Sequence, residues 1–123
     1  WGNIPPDSYG VHAGPVAALL REYGLSADAR RGLTWDDLRA ELDAGRPAIV
    51  WVTGHVSTGK AVEYVAADGQ TVIVAPFEHT AIVVGYTDES VSVLDGSKLY
   101  SRSLDKFLDS WSVLGYMAIV AAP

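Results

Sequence analysis

Two apolar runs around a short polar turn dominate the hydropathy pattern of this chain. Glu78 to Tyr86 reads Glu-His-Thr-Ala-Ile-Val-Val-Gly-Tyr, Thr87 to Ser90 is polar, and Val91 to Asp95 reads Val-Ser-Val-Leu-Asp. The pattern predicts a β-hairpin from Glu78 to Asp95. Upstream, Ala48 to Val52 is a continuous apolar run behind Pro47, short enough to be a strand buried on both faces and the expected centre of a sheet. Glu63 to Ala66 and Thr71 to Ala75 flank Ala67-Asp68-Gly69-Gln70, whose Asp-Gly dipeptide signals a second hairpin. Gly96 to Arg102 reads as a turn followed by a short strand, and Tyr116 to Ala121 as a last strand.

Helical spacing governs three other stretches. Gly14 to Tyr23 places Val16, Leu19, Leu20 and Tyr23 on one face, with Pro15 in the first turn and Gly24 as a stop. Thr34 offers an N-cap, Asp36 and Asp37 suit the positive end of the helix dipole, Trp35, Leu38 and Leu42 form the expected buried stripe, and Gly45 ends the helix. Ser103 caps Leu104 to Trp111, with Leu104, Phe107, Leu108 and Trp111 on one face. Between these, Leu25 to Gly32 reads as a polar connector and Thr53 to Lys60 as a loop. Trp1 to Tyr9, dense in turn formers, reads as an irregular arm anchored by Trp1, Ile4 and Tyr9 against the domain or a partner. Helices and mostly antiparallel strands predict an α+β fold, with helices packed on an antiparallel sheet and a single domain over residues 1–123.

Composition narrows the function classes. With 123 residues, 49% hydrophobic and 20% charged, the chain can build an ordinary core. A net charge of −6 with scattered Lys and Arg argues against nucleic-acid binding, which usually needs a basic patch. No apolar run reaches the roughly 20 residues that a membrane-spanning helix requires. The absence of Cys excludes disulfides, thiolate metal sites and a thiol nucleophile within these residues. The start at Trp1, with Met117 as the one methionine, suggests a processed product or a piece of something longer.

The candidate chemistry sits at the ends of the Glu78–Asp95 hairpin. His79 opens its first strand and Asp95 closes its second, and in a hairpin the start of one strand lies beside the end of the other. A carboxylate there would fix the imidazole tautomer and stabilise its protonated form. Read without that pairing, His79 is a structural hydrogen-bond partner at a strand edge and Asp95 a turn residue before Gly96. His12 and His55 have no ligand spacing with another His or a carboxylate, so no metal or cofactor is expected. Ser57-Thr58-Gly59-Lys60 lacks the earlier Gly of a phosphate loop. No Gly-x-Ser-x-Gly elbow is present, and Thr80, next to His79, points to the opposite face of the strand.

The His79 and Asp95 segments resemble those of the bacteriocin-leader-processing (double-glycine) peptidase-like branch of papain-like cysteine peptidases. The resemblance extends to Gly45-Arg46-Pro47-Ala48-Ile49-Val50-Trp51-Val52 and to Tyr9-Gly10-Val11-His12-Ala13, in the expected order. It implies a partial papain-like fold, a peptide or protein substrate, His79 as base and Asp95 as its orienting carboxylate. In that branch the catalytic Cys lies on a helix before all of these blocks, preceded by a Gln that helps form the oxyanion hole. Neither segment is present, so the resemblance implies a domain truncated at its N-terminus and inactive alone. It also implies that the place of the catalytic helix is an apolar gap beside His79, which the missing segment or a second copy would cover, or a surface covered by a partner chain or by the Trp1–Tyr9 arm. In a rival alignment, Ala13-Gly14-Pro15 matches the Cys-Gly-Pro that starts the catalytic helix, and Ala13 replaces the nucleophile. A binding module that kept the fold without the chemistry, or an interaction domain, are the other functions compatible with the sequence.

Overall fold

Strand β2 (Ala48–Thr53) is buried on both faces, as its unbroken apolar run predicts. In the computed structural model, which describes residues 12–54, 56–57, 59–65 and 67–122, it lies inside a six-stranded sheet. The other elements are α1 (Ala13–Glu22), β1 (Ser26–Arg30), α2 (Trp35–Asp43), β3 (Val62–Val65), β4 (Thr71–Val74), β5 (Glu78–Tyr86), β6 (Ser90–Asp95), β7 (Lys98–Ser103), α3 (Leu104–Ser112) and β8 (Ala118–Ala122). The sheet order is β1-β8-β2-β5-β6-β7, while β3 and β4 pair apart as a two-stranded hairpin. Every ladder among these strands is antiparallel. The fold is α+β. The expected arm, Trp1 to Tyr9, lies outside the described residues.

Alternation along the strands sorts the core into two clusters, because successive side chains point to opposite faces. Val50, Val52, Ala81, Val83, Val91 and Val93 pack with Leu38 of α2 and with Phe107 and Trp111 of α3. Trp51 and Ile119 instead pack with Ala13 and Ala17 of α1. Thus α2 and α3 cover one face and α1 the other. Trp111 stacks on Phe107, meets Tyr116 edge to face, and donates its indole N–H to the Met117 carbonyl at 3.0 Å, so its one polar group is satisfied inside the core.

Two expectations are corrected. Leu25 to Gly32 is not merely a connector, since Ser26-Ala27-Asp28-Ala29-Arg30 forms the sheet-edge strand β1 on β8. Its inward positions are alanines, with Ala27 buried and Ala29 half-buried, so its period-2 pattern carries little hydrophobic signal. The second correction concerns α1, whose buried stripe is Ala13 and Ala17 with Val16 and Leu20 packed beside them, while Leu19 and Tyr23 are exposed. Small side chains at i and i+4 let this helix lie close to the sheet, and the larger residues flank that contact.

The second helix begins as its sequence predicts. Thr34 Oγ1 accepts from Asp37 N at 3.1 Å, and Thr34 N donates to Asp37 Oδ2 at 2.9 Å, a reciprocal cap that satisfies two otherwise orphaned donors. These hydrogen bonds hold the Asp37 carboxyl below its ordinary range. The carboxylate's share of the cap is therefore present above the unfolded carboxyl pKa and lost as pH falls through the lowered one. Replacing Thr34 by Ala is expected to cost about 1 kcal/mol in urea unfolding at neutral pH. An unchanged denaturation midpoint would show that the cap is idle.

Candidate active site

His79 lies at the second position of β5, where it is in register with Val52 of β2 and so points to the face covered by α2 and α3. The β5–β6 ladder pairs Ile82 with Leu94. Continued by one step it sets Asp95 opposite Ala81, which makes His79 the diagonal neighbour of Asp95. Side chains at diagonal positions start about 7–8 Å apart, within reach of a ring and a carboxylate that lean toward each other. His79 Nε2 and Asp95 Oδ2 meet at 2.7 Å. Both side chains remain about a quarter exposed, at 26% and 24%. The pair thus reaches the surface at the end of the sheet.

An ionised carboxylate only accepts hydrogen bonds, so Asp95 selects the tautomer with the proton on Nε2 and the lone pair on Nδ1. That is the form in which an imidazole can take a proton from an incoming nucleophile, and the carboxylate stabilises the resulting imidazolium. Thr80 is in register with Trp51 and projects from the other face. Ala13 lies across the sheet too, in the Trp51 cluster, with its backbone N–H directed at Met117 Sδ at 3.3 Å. The alignment that makes Ala13 a replaced nucleophile therefore sets it on the wrong side of the sheet from His79.

A second histidine–carboxylate pair, not foreseen from sequence, adjoins the first. His12 precedes α1 at its N-cap position, and its Nε2 lies 2.5 Å from Glu78 Oε1. The side chains are only 11% and 4% exposed, and Glu78 Oε2 has no hydrogen-bond partner among the described residues. Glu78 and His79 are consecutive on β5, so the start of this strand is gripped from one face through Glu78 and from the other through His79. No spacing rule relates residues 66 positions apart. The one available sequence signal was an acidic residue beside a histidine at the mouth of an apolar strand.

The loop after β2 also contributes to this end of the sheet. Thr53 Oγ1 donates to the Ser57 carbonyl at 2.6 Å, and Gly54 N donates to the Phe77 carbonyl at 2.7 Å. Gly54 has φ +56°, and a Cβ there would stand 2.7 Å from Ser57 Oγ, so any side chain at this position is strained and must displace the serine hydroxyl. Val56 and Phe77 also have positive φ, which is costly for a β-branched or bulky residue. A cavity of about 420 Å³ opens beside this loop at Thr53, Lys60, Val62 and Phe77. His55 lies outside the described residues. Among the described residues no group of three or more His, Asp or Glu side chains could hold a metal ion.

The described surface next to His79 is polar, and the Trp1–Tyr9 arm, one of the alternatives to an apolar gap there, lies outside the described residues. On the His79 face, Asp95, Lys98, Tyr100 and Arg102 line a mixed polar cavity of about 480 Å³. The exposed apolar surface is on the other face, where Ile119, Ile49, Ile82, Leu94 and Leu99 form one row across five strands. Burial declines along that row from Ile119 under α1, 1% exposed, to Leu99 on the edge strand, 64% exposed. No helix among the described residues is long and apolar enough to cross a membrane.

Comparison with known proteins finds this architecture in a solved structure. The fold superposes on the crystal structure of a protein described as a C39-like peptidase from Bacillus anthracis, with a TM-score of 0.82 and 24% sequence identity. The match covers 95% of this chain and 62% of that one, so the chain spans somewhat under two thirds of its length, and the likeness is one of fold. No curated protein matches the sequence. The Peptidase_C39 like family matches residues 1–119, nearly the whole chain, and the chain belongs to that family.

Proposed function

We propose that residues 1–123 form a single peptidase-like domain that supplies His79 as base and Asp95 as orienter for peptide-bond hydrolysis by a cysteine carried on a segment outside these residues. The observation that carries this reading is the 2.7 Å contact between His79 Nε2 and Asp95 Oδ2. With Nε2 held by the carboxylate, Nδ1 accepts the thiol proton as sulfur bonds to the scissile carbonyl carbon. The imidazolium then gives that proton to the leaving amine as the C–N bond breaks. Water, deprotonated in turn by His79, hydrolyses the thioester and frees the thiol. The face assignment of Thr80 and Ala13 supports an outside nucleophile, since neither position lies on the His79 side. The Leu94–Leu99 end of the apolar row, where Leu99 is exposed, gives the missing segment, or a second copy, a surface to cover.

The absence of Cys favours a second reading, a peptide- or protein-binding module that kept the fold and lost the chemistry. Labelling with a thiol-directed peptidase probe separates the two. The 123-residue chain alone is expected neither to label nor to hydrolyse peptides. Protein that also carries the upstream segment is expected to label, and replacement of His79 is expected to suppress that labelling. If the longer protein has no Cys facing His79, the binding reading takes over, and hydrolysis by the isolated chain would overturn both.

A further inference from the structure

Strands β3 and β4 form a hairpin that stands apart from the main sheet, and their ladder runs from Val62 opposite Val74 to Val65 opposite Thr71. Val74 is buried and Val72 and Ile73 are half-buried, whereas Val62, Glu63 and Val65 are exposed, so β4 is the inner strand and β3 the outer one. Among the described residues β3 pairs with β4 alone, which leaves one row of its backbone N–H and C=O groups as a template for a further strand. The two edges of the main sheet are guarded by charge, β1 by the exposed Asp28–Arg30 ion pair and β7 by Lys98 and Arg102. On β3 two of the exposed side chains are valines, and Glu63 is its one charge. A two-stranded hairpin is marginal alone in water and gains stability from a third strand. The first residue of β3, Val62, also lines the cavity of about 420 Å³ with Lys60, Pro76 and Phe77, a volume within the range of ligand pockets. Phe77 holds its ring half exposed with its backbone at positive φ, which is costly for a bulky residue, and its carbonyl is fixed by Gly54 N at 2.7 Å.

We propose that the outer edge of β3 and this cavity bind an extended segment of the peptide substrate, which adds to the hairpin as a third strand and lodges a large apolar side chain, Leu, Met or Phe, against Val62, Pro76 and Phe77. This deepens the peptidase reading and rests on it for the identification of the partner as a peptide. Strand addition supplies affinity through main-chain hydrogen bonds, and a pocket beside the strand supplies side-chain preference. The Val62, Pro76 and Phe77 side chains offer no hydrogen bond, so a polar side chain would lose water against them without compensation. Continuity with the proposed catalytic pair favours a substrate over a second copy, because the chain runs from the cavity wall at Phe77 directly into β5 and His79. The β-propensity of valine accounts for its use in a hairpin. It leaves unexplained the unguarded edge and the strained, half-exposed ring at the cavity that this edge adjoins.

The test is a titration of the 123-residue protein with acetylated, amidated pentapeptides, followed by amide chemical shifts. Thr-Val-Leu-Val-Thr is expected to shift Val62 to Val65 and Phe77, and to bind at least about tenfold more tightly than Thr-Val-Ala-Val-Thr, a factor that burial of a Leu side chain supplies. Alternate amides of an extended peptide face opposite edges, so of two N-methylated versions, one modified at Leu and one at both Val residues, a single one should lose binding. Phe77→Gly removes the ring and suits the positive φ, so it should fold like the parent while bringing the Leu and Ala peptides close to equal affinity. Val62→Thr keeps a β-branched residue in the strand and should narrow the same gap. Equal binding of the two peptides to the parent, an unchanged gap in both variants, shifts centred away from β3, loss of binding with both N-methylated versions or with neither, or no binding at all would overturn the proposal. So would β3 shifts that depend on protein concentration without peptide, which would give the edge to a second copy. None of these outcomes depends on a nucleophile, so failure here leaves the role of His79 to be decided by the thiol-probe experiment.

Discussion

Replacing His12 by Ala is expected to destabilise the fold by about 1–3 kcal/mol, the usual cost of leaving a buried polar group without its hydrogen-bond partner. Glu78 is 4% exposed and holds its position through one oxygen, Oε1, on the His12 ring, while Oε2 has no partner among the described residues. Without the imidazole, neither oxygen has a donor among the described residues, and the carboxyl group must stay buried without a partner, take up a proton, or pull β5 away from the sheet. Because Glu78 is in register with Thr53, that movement would also disturb the end of β2. Glu78→Gln should be much milder, since the amide keeps the shape and an oxygen that can accept from the His12 ring. A joint replacement of His12 and Glu78 by Leu should recover most of the loss, because the desolvation cost disappears together with the attraction. Urea unfolding with an unchanged m value is the measurement. If His12→Ala stays within about 1 kcal/mol of the parent, the pair is not the clamp that its burial suggests.

What the sequence made legible follows from how local each signal was. The β5–β6 hairpin carries its own pattern and turn, so its strands and the meeting of His79 with Asp95 were readable from one segment, because hairpin geometry brings start and end together. The Thr34 cap and the Phe107–Trp111 stripe are equally local. Strand β1 was not legible, since Ser26 to Arg30 becomes a strand only by pairing with β8 from the far end of the chain, and its alanines give a weak pattern. The buried face of α1 depends on how close the sheet lies, a tertiary fact that favoured Ala13 and Ala17 over Leu19 and Tyr23. His12 with Glu78 was out of reach for the same reason, because it joins a helix N-terminus to a strand across 66 residues. The Tyr100 cavity required the β6–β7 register before three alternate edge residues could be placed beside Asp95.

In protein that carries the nucleophile segment, His79→Ala is expected to lower kcat/KM by about 10²–10⁴-fold, the range that a positioned general base supplies. In the proposed function Asp95 acts through His79, and its variants should divide accordingly. Asp95→Asn keeps an oxygen that can accept from Nε2 but removes the charge that stabilises the imidazolium, so its loss should fall on kcat while KM stays near that of the parent. The same substitution also offers an amide N–H₂, and if that group turns toward the ring, Nε2 must accept, the proton moves to Nδ1, and the base faces the nucleophile in the wrong tautomer. Asp95→Ala makes no such error and should reach the level set by an unanchored ring. The ¹⁵N shifts of the His79 imidazole in the 123-residue protein report the tautomer directly and need no activity. A ring protonated on Nε2 in the parent, and altered in Asp95→Asn, is the expected signature of the 2.7 Å contact. If His79→Ala retains the parent rate within a factor of about three, well short of what a general base contributes, His79 is a structural residue and the base must be sought elsewhere.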